Sequence, residues 1–180
     1  DRFVNQLKQA LSLFTYAAPL EEGANFAPLI NAKAITRLTT MTRDAIAKGG
    51  KLVLGGKQHN DFYFEPTLIT ECNSTMLLAQ EEIFGPIAAV FSFKNETEAI
   101  QMANDTVYGL ASYCYTNDLN RSIRMSEALE YGIVGINEGL ISSEVAPFGG
   151  IKQSGQGREG SKFGLEDYTY KKYICLGNVN

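Results

Sequence analysis

Histidine occurs once in these 180 residues, cysteine three times, and there is no excess of positive charge. Each shortage excludes something. One histidine and three scattered cysteines match no zinc-ligand spacing, so no metal site is expected. His59 sits among Lys57, Gln58, Asn60 and Asp61, a composition that reads as a solvated surface turn. A Ser-His-Asp triad needs its base oriented by a buried carboxylate, which such a turn does not offer. Cys72, Cys114 and Cys175 are far apart and odd in number, which argues against a disulfide framework and for a reducing, cytoplasmic setting. A net charge of -4 leaves no basic footprint for nucleic acid. No apolar run approaches the ~20 residues of a membrane-spanning helix. No signal peptide opens the chain, which begins at Asp1 rather than Met. The expectation is a segment of something larger, or a processed product. Without a secretory signal, the N-x-S/T sequons at Asn73, Asn95, Asn104 and Asn120 carry no weight.

What is present is an ordinary globular composition, 44% hydrophobic and 20% charged, at the length of one domain or one domain with an appendage. Phe3, Val4, Leu7, Leu11 and Phe14 recur on one helical face from Asp1 to Phe14. Residues 15–28, with Pro19, Gly23 and Pro28, read as a loop. Ala32 to Lys48 reads as an amphipathic helix with Ile35, Leu38, Ala45 and Ile46 inward, ended by Gly49-Gly50. Leu52 to Leu54 is a short strand, Gly55 to Asp61 a turn-rich excursion, and Phe62 to Ile69 extended chain interrupted by Pro66. Met76 to Glu82 allows a turn of helix. Ile87 to Phe93 is apolar enough for a strand buried on both faces. Asn95, with Glu98 three residues on, starts a helix to about Asn104. Leu110 to Tyr115 is the next strand. Asn117 caps a helix through Glu130, with Leu119, Ile123 and Leu129 inward, and Ile133 to Ile136 follows as a buried strand. Alternation of strand and helix from Leu52 to Ile136 predicts an α/β fold with a parallel sheet. A short helical piece near Lys162 to Asp167 and a final strand, Tyr170 to Leu176, close the chain.

Two stretches carry chemistry. The first is residues 146–160, with Gly149, Gly150, Gly155, Gly157 and Gly160. Glycine at this density means positive φ or close packing of another group against the chain. Gly155 to Gly160 is a literal G-x-G-x-x-G. A polar loop precedes it where the dinucleotide fingerprint requires a strand, and Ser161 stands where a P-loop needs lysine. Arg158 and Glu159 read as a structural ion pair. The second stretch is Glu81-Glu82-Ile83-Phe84-Gly85-Pro86. Its adjacent carboxylates are either a solvated pair at a helix end or an acceptor held at a sheet edge for a ligand's hydroxyl groups. The cysteines offer no nucleophile: Cys114 lies in an apolar strand, Cys72 in a polar loop and Cys175 in the last strand. None has a helix N-terminus or a cation placed to make a thiolate.

With both stretches in place, the chain resembles the aldehyde dehydrogenase family. Phe64-Glu65-Pro66-Thr67-Leu68, Asn104 to Leu110 and Gly135-Ile136-Asn137 add matches in family order over essentially the whole chain. Asn137 to Ser143, Glu159 to Tyr168 and Lys172 to Gly177 resemble the succinate-semialdehyde branch. Ala27 before Pro28-Leu29 departs from the usual glycine. The resemblance implies an α/β, parallel-sheet catalytic domain of the aldehyde dehydrogenase fold, truncated. Residues 1–160 would be the thiol-bearing domain without its cysteine loop, and residues 161–180 a helical turn and an oligomerisation strand. It implies NADP or NAD as cofactor, an upstream cofactor-binding domain, a small aldehyde with a distal carboxylate as substrate, and a homodimer or homotetramer. In the family a cysteine thiolate attacks the aldehyde, hydride leaves to the nicotinamide, and a carboxylate-activated water hydrolyses the thioester. The nucleophile and general base are expected upstream, so no catalytic residue lies in this chain. By resemblance Glu82 holds the nicotinamide ribose, Phe84 packs near the nicotinamide, Phe148 lines the substrate tunnel and Ser142 binds the substrate's distal carboxylate. The other reading is a non-catalytic α/β binding module that keeps the scaffold; the presence of all four residues disfavours it.

Overall fold

A stripe of apolar side chains on one helix organises the first half of the chain. Helix α2 (Ala32–Ala47) is started by Asn31, whose side chain accepts from Ala34 N–H at 3.0 Å, satisfying one of the free amides of its first turn. Ile35, Leu38, Met41, Thr42 and Ala45 are its buried residues, the three-and-four spacing of one helical face. Ile46, expected inward, is exposed. A computed structural model of the chain describes residues 1–17, 20–23, 25–60 and 62–178. It divides into two compact units, residues 1–93 and 94–180. The boundary expected at residue 160 falls inside the second.

In the first unit, α2 is preceded by α1 (Arg2–Leu11). A sheet is built from β1 (Lys51–Leu54), β4 (Thr67–Thr70) and β5 (Ile87–Ala89), with β4 in the middle. β4 runs parallel to β5 but antiparallel to β1. The sheet is therefore mixed, where alternation alone predicted parallel pairing. The reason is the excursion after β1: β2 (Gln58–Asn60) and β3 (Tyr63–Phe64) form a small ribbon that returns the chain beside β1 without a crossover helix. Phe64, Ile69 and Met76 are fully buried in the core with the α2 stripe. Cys72 belongs to that core rather than to a polar loop, and burial pushes its thiol above the usual range. His59 is exposed, as expected, but it lies in β2 and stacks on Tyr16 at 4.2 Å. A short helix, α3 (Leu77–Gln80), leads into the Glu81–Pro86 stretch.

In the second unit, β6 (Ala111–Cys114) and β7 (Ile133–Ile136) pair in parallel, from Ala111 opposite Ile133 to Cys114 opposite Ile136. Helix α5 (Leu119–Ala128) makes the crossover, and α4 (Glu96–Asn104) precedes β6. The cap of α4 is the one expected: Asn95 accepts from Glu98 N–H at 3.0 Å. The cap of α5 is Asp118, not Asn117, its carboxylate accepting from Arg121 N–H at 3.0 Å. Leu129 is buried as expected, but Leu119 is 75% and Ile123 50% exposed. Their face of α5 has no apolar cover among the described residues of its unit. Lys162–Tyr168 forms a 3-10 helix. Residues 170–176 make no strand among the described residues, because a strand needs a hydrogen-bonding neighbour and the chain supplies none there. Among the described residues no helix is long and apolar enough to cross a membrane.

Candidate active-site elements

The four site residues expected from sequence fall two in each unit, and each pair is described by itself. In the first unit Glu82 and Phe84 share the turn between α3 and β5. Phe84 has φ +47, a left-handed backbone that a bulky side chain adopts only when its surroundings enforce it. Its ring is nonetheless 80% exposed, so burial of the ring does not compensate the strain. Glu82 is also exposed. The enforcement comes from α2. Arg37 donates to the carbonyl of Ile83 at 2.6 Å and to the carbonyl of Glu82. Its guanidinium also lies 3.8 Å from the Glu81 carboxylate. The turn thus presents an exposed aromatic ring and an exposed carboxylate two residues apart.

In the second unit Ser142 is exposed on the loop that follows β7. That loop is set at its root by Asn137, at φ +54. The Asn137 amide accepts from Thr116 N–H at 2.8 Å and donates to the Thr116 carbonyl at 2.7 Å, tying the end of β7 to the end of β6. Glu138 then accepts from the N–H groups of Gly139 and Leu140, which stiffens the approach to Ser142. Phe148 is half-buried and exchanges backbone hydrogen bonds with Glu159 at 2.8 and 2.7 Å. The glycine-rich stretch thus folds back on itself as a two-strand clasp. Phe148 lines a cleft of about 560 Å³ together with Arg158, Glu159, Ser161, Asp167 and Tyr168; Ser142 does not line it.

Close packing explains the glycines here. A Cβ on Gly132 would run into the carbonyl of Gly149, so the clasp docks on bare backbone. Gly157, at φ +88, lets its own backbone lie against the Asp167 carboxylate, which accepts from Arg158 N–H at 3.0 Å. Arg158 does not pair with Glu159. Its guanidinium donates to the carbonyls of Gly150 and Gly157 at 2.8 and 2.6 Å, and among the described residues no ion pair joins it to Glu159. These two backbone carbonyls take the guanidinium that the Glu159 carboxylate was expected to take. The G-x-G-x-x-G lies between two 3-10 turns, Lys152–Ser154 and Lys162–Tyr168, which rules out the strand-to-helix context of a dinucleotide fingerprint. Lys152 holds the start of the clasp: its ammonium contacts Glu130 at 2.7 Å and the carbonyls of Asn104 and Thr106 at 2.9 and 3.3 Å. Arg37, Asn137 and Lys152 are the residues that sequence reasoning missed. Their partners lie 21 to 48 residues away; Asn137 and Lys152 are both at positive φ, and Lys152 lies inside the glycine-rich stretch.

The aldehyde dehydrogenase family model matches residues 1–174. The chain belongs to the aldehyde dehydrogenase family. The succinate semialdehyde dehydrogenase of Acinetobacter baylyi and the glutarate-semialdehyde dehydrogenase of Pseudomonas aeruginosa are each 52% identical to it over 99% of the chain. The crystal structure of succinate-semialdehyde dehydrogenase from Burkholderia pseudomallei superposes with a TM-score of 0.95 at 49% identity, covering 98% of this chain and 37% of that one. The chain spans 38% of the length of the two curated relatives. An aldehyde dehydrogenase fold for this segment follows.

Proposed function

We propose that this chain supplies the nicotinamide-side turn and the substrate-side loops of an enzyme that oxidises succinate semialdehyde to succinate with NADP or NAD. Related aldehyde dehydrogenases use one or the other. The observation that carries the reading is Phe84, an aromatic side chain exposed on a strained turn that an arginine holds in place. Strain maintained at an exposed ring serves a ligand. The bound cofactor supplies the hydride acceptor. Phe84 and Glu82 fix its position, which matters because hydride transfer depends on a near-attack geometry. Phe148 walls the aldehyde's path, and Ser142 donates its hydroxyl to the distal carboxylate. A single neutral donor is a weak carboxylate anchor beside an arginine fork, so the strong anchor lies outside these residues.

The covalent step, thiohemiacetal then thioester, uses a cysteine outside this chain. Cys72 is buried with its thiol pushed up, which disqualifies it as a nucleophile. Residues 1–160 act as part of the thiol-bearing domain. Residues 161–180 act as the tail that pairs with a second subunit of a dimer or tetramer, leaving Tyr170, Tyr173, Ile174 and Leu176 exposed in the single chain. Succinate and glutarate semialdehyde differ by one methylene, a discrimination of about 1–3 kcal/mol that the whole pocket sets.

Assay of the isolated 180-residue chain and of the longer protein that contains it tests the reading. Reduced cofactor should appear with succinate semialdehyde only for the longer protein. Turnover by the isolated chain would place the nucleophile among Cys72, Cys114 and Cys175 and overturn the assignment. A longer protein that binds cofactor and aldehyde without turnover would favour the binding module.

A further inference from the structure

We infer that Arg37 is a positioning residue for cofactor binding, and that α2 acts as a splint for the segment that presents Glu82 and Phe84. This rests on the reading of that turn as the nicotinamide site. Three residues of α2 and its C-cap Lys48 meet the segment 75–85, the C-terminal end of the helix at its start and the N-terminal half at its end. Lys48 donates to the Thr75 carbonyl at 2.6 Å. The Asp44 carboxylate accepts from Leu77 N–H at 2.8 Å. Leu38 packs where a Cβ on Gly85 would have to go. Arg37 donates to the carbonyls of Glu82 and Ile83. From Lys48 to Arg37 the helix advances about 16 Å, so the splint matches the segment along much of its length.

Arg37 is the member that reaches the site. The carbonyls it grips belong to Glu82 itself and to the residue before Phe84. Two donors on a rigid guanidinium fix two successive peptide planes, which a point-charge lysine does not do. With those planes fixed, the Phe84 backbone has little choice but its left-handed conformation. Released from Arg37, the turn relaxes toward negative φ at Phe84, and the ring and the Glu82 carboxylate leave their common arrangement. Arg37 acts through the backbone of Glu82 and Ile83, and so on the turn that presents Phe84.

The test uses the intact enzyme that contains this chain, with cofactor affinity measured directly by quenching of protein fluorescence or by calorimetry. Arg37→Ala should weaken NADP or NAD binding about tenfold or more, the effect of losing charge-assisted hydrogen bonds. The aldehyde KM at saturating cofactor should stay within about twofold. Arg37→Lys should recover only part of the loss. A structural role alone would lower Tm and leave this split unmoved. The decisive arm is a double-mutant cycle. In a Glu82→Gln, Phe84→Ala background, Arg37→Ala should have no further effect on cofactor affinity, since nothing remains to be positioned. If the background pair leaves affinity unchanged, the nicotinamide reading of the turn fails. If the pair weakens binding and Arg37→Ala adds its full effect on top, the turn is a site but Arg37 does not position it. Should Arg37→Ala fail to fold, Arg37→Gln carries the same cycle.

Discussion

The two units hold themselves together by different means. In residues 1–93, Leu38, Ala45, Phe64, Ile69 and Met76 have no exposure at all, and α2 and the three-stranded sheet close over them. In residues 94–180, Leu129 is the sole buried large hydrophobic side chain among the described residues. There the elements are joined by charge and by backbone instead: Glu96 on α4 to Arg121 and Arg124 on α5, Lys152 to Glu130, Arg158 to two carbonyls. Apolar burial is indifferent to salt and pH, whereas exposed ion pairs are sensitive to both. The site elements follow the same division. The Glu82–Phe84 turn is braced against a helix that is itself locked into a core. The Phe148 clasp is sewn on by many individually weak stitches.

The comparison predicts unequal answers to single cuts, and the largest belongs to the first unit. Leu38→Ala removes a fully buried side chain from the α2 stripe and the support under Gly85. It should cost about 2–5 kcal/mol, read by urea unfolding, and native-state hydrogen exchange should speed up in residues 1–93 well before residues 94–180. Equal loss of protection in both units would mean that they unfold as one body and that the contrast has no thermodynamic meaning.

A cut in the second unit should be milder. Lys152→Ala removes the pairing with Glu130 and the donors to Asn104 and Thr106. The clasp keeps Gly109 N–H on Ser154 Oγ at 3.0 Å, the Ile151 and Gln153 amides on the carbonyls of Gly109 and Val107, and the Phe148–Glu159 pair. A loss of about 1–2 kcal/mol is expected, part of it masked in high salt. If Lys152→Ala destabilises as strongly as Leu38→Ala, the clasp hangs on one residue and not on many.

What the sequence made legible follows from how local each signal is. Helix α2 was readable because its stripe and its glycine stop lie within twenty residues. The Asn95 cap and the parallel β6–β7 pair were readable for the same reason. The antiparallel β1–β4 pairing was not, because a two-residue β3 is too short to register as a return strand. Leu119 and Ile123 were read as inward because periodicity reports that a face is apolar and is silent on what covers it. Of the proposed site residues, Phe84, Ser142 and Phe148 were named only through resemblance to a family, while the paired carboxylates had already singled out Glu82 as a possible acceptor. Arg37, which holds the Glu82–Phe84 turn, was invisible because a side chain gripping a distant carbonyl leaves no pattern in sequence.

The smallest expected effect at neutral pH sharpens the comparison most. Glu96 accepts from Arg124 at 2.7 and 2.9 Å and from Arg121 at 3.0 Å. Those bonds, Arg124 first, lower its carboxyl from the ordinary 4.5 to about 2. A carboxyl whose folded value lies below its unfolded one stabilises the fold only while ionised. The contribution is whole above the ordinary value and is lost as pH falls through it towards about 2. Glu96→Gln should therefore leave Tm nearly unchanged at neutral pH, since exposed pairs contribute little. On acidification, protection of α4 and α5 in the parent should fall towards that of the variant, and the two should converge near pH 2. Residues 1–93 should be the same in parent and variant at every pH, because Glu96 and its two arginines lie in the second unit. A difference between parent and variant that persists unchanged into acid would mean that Glu96 acts by shape and not by charge. The second unit would then be held by packing after all, and the contrast between the two halves of the chain would fail.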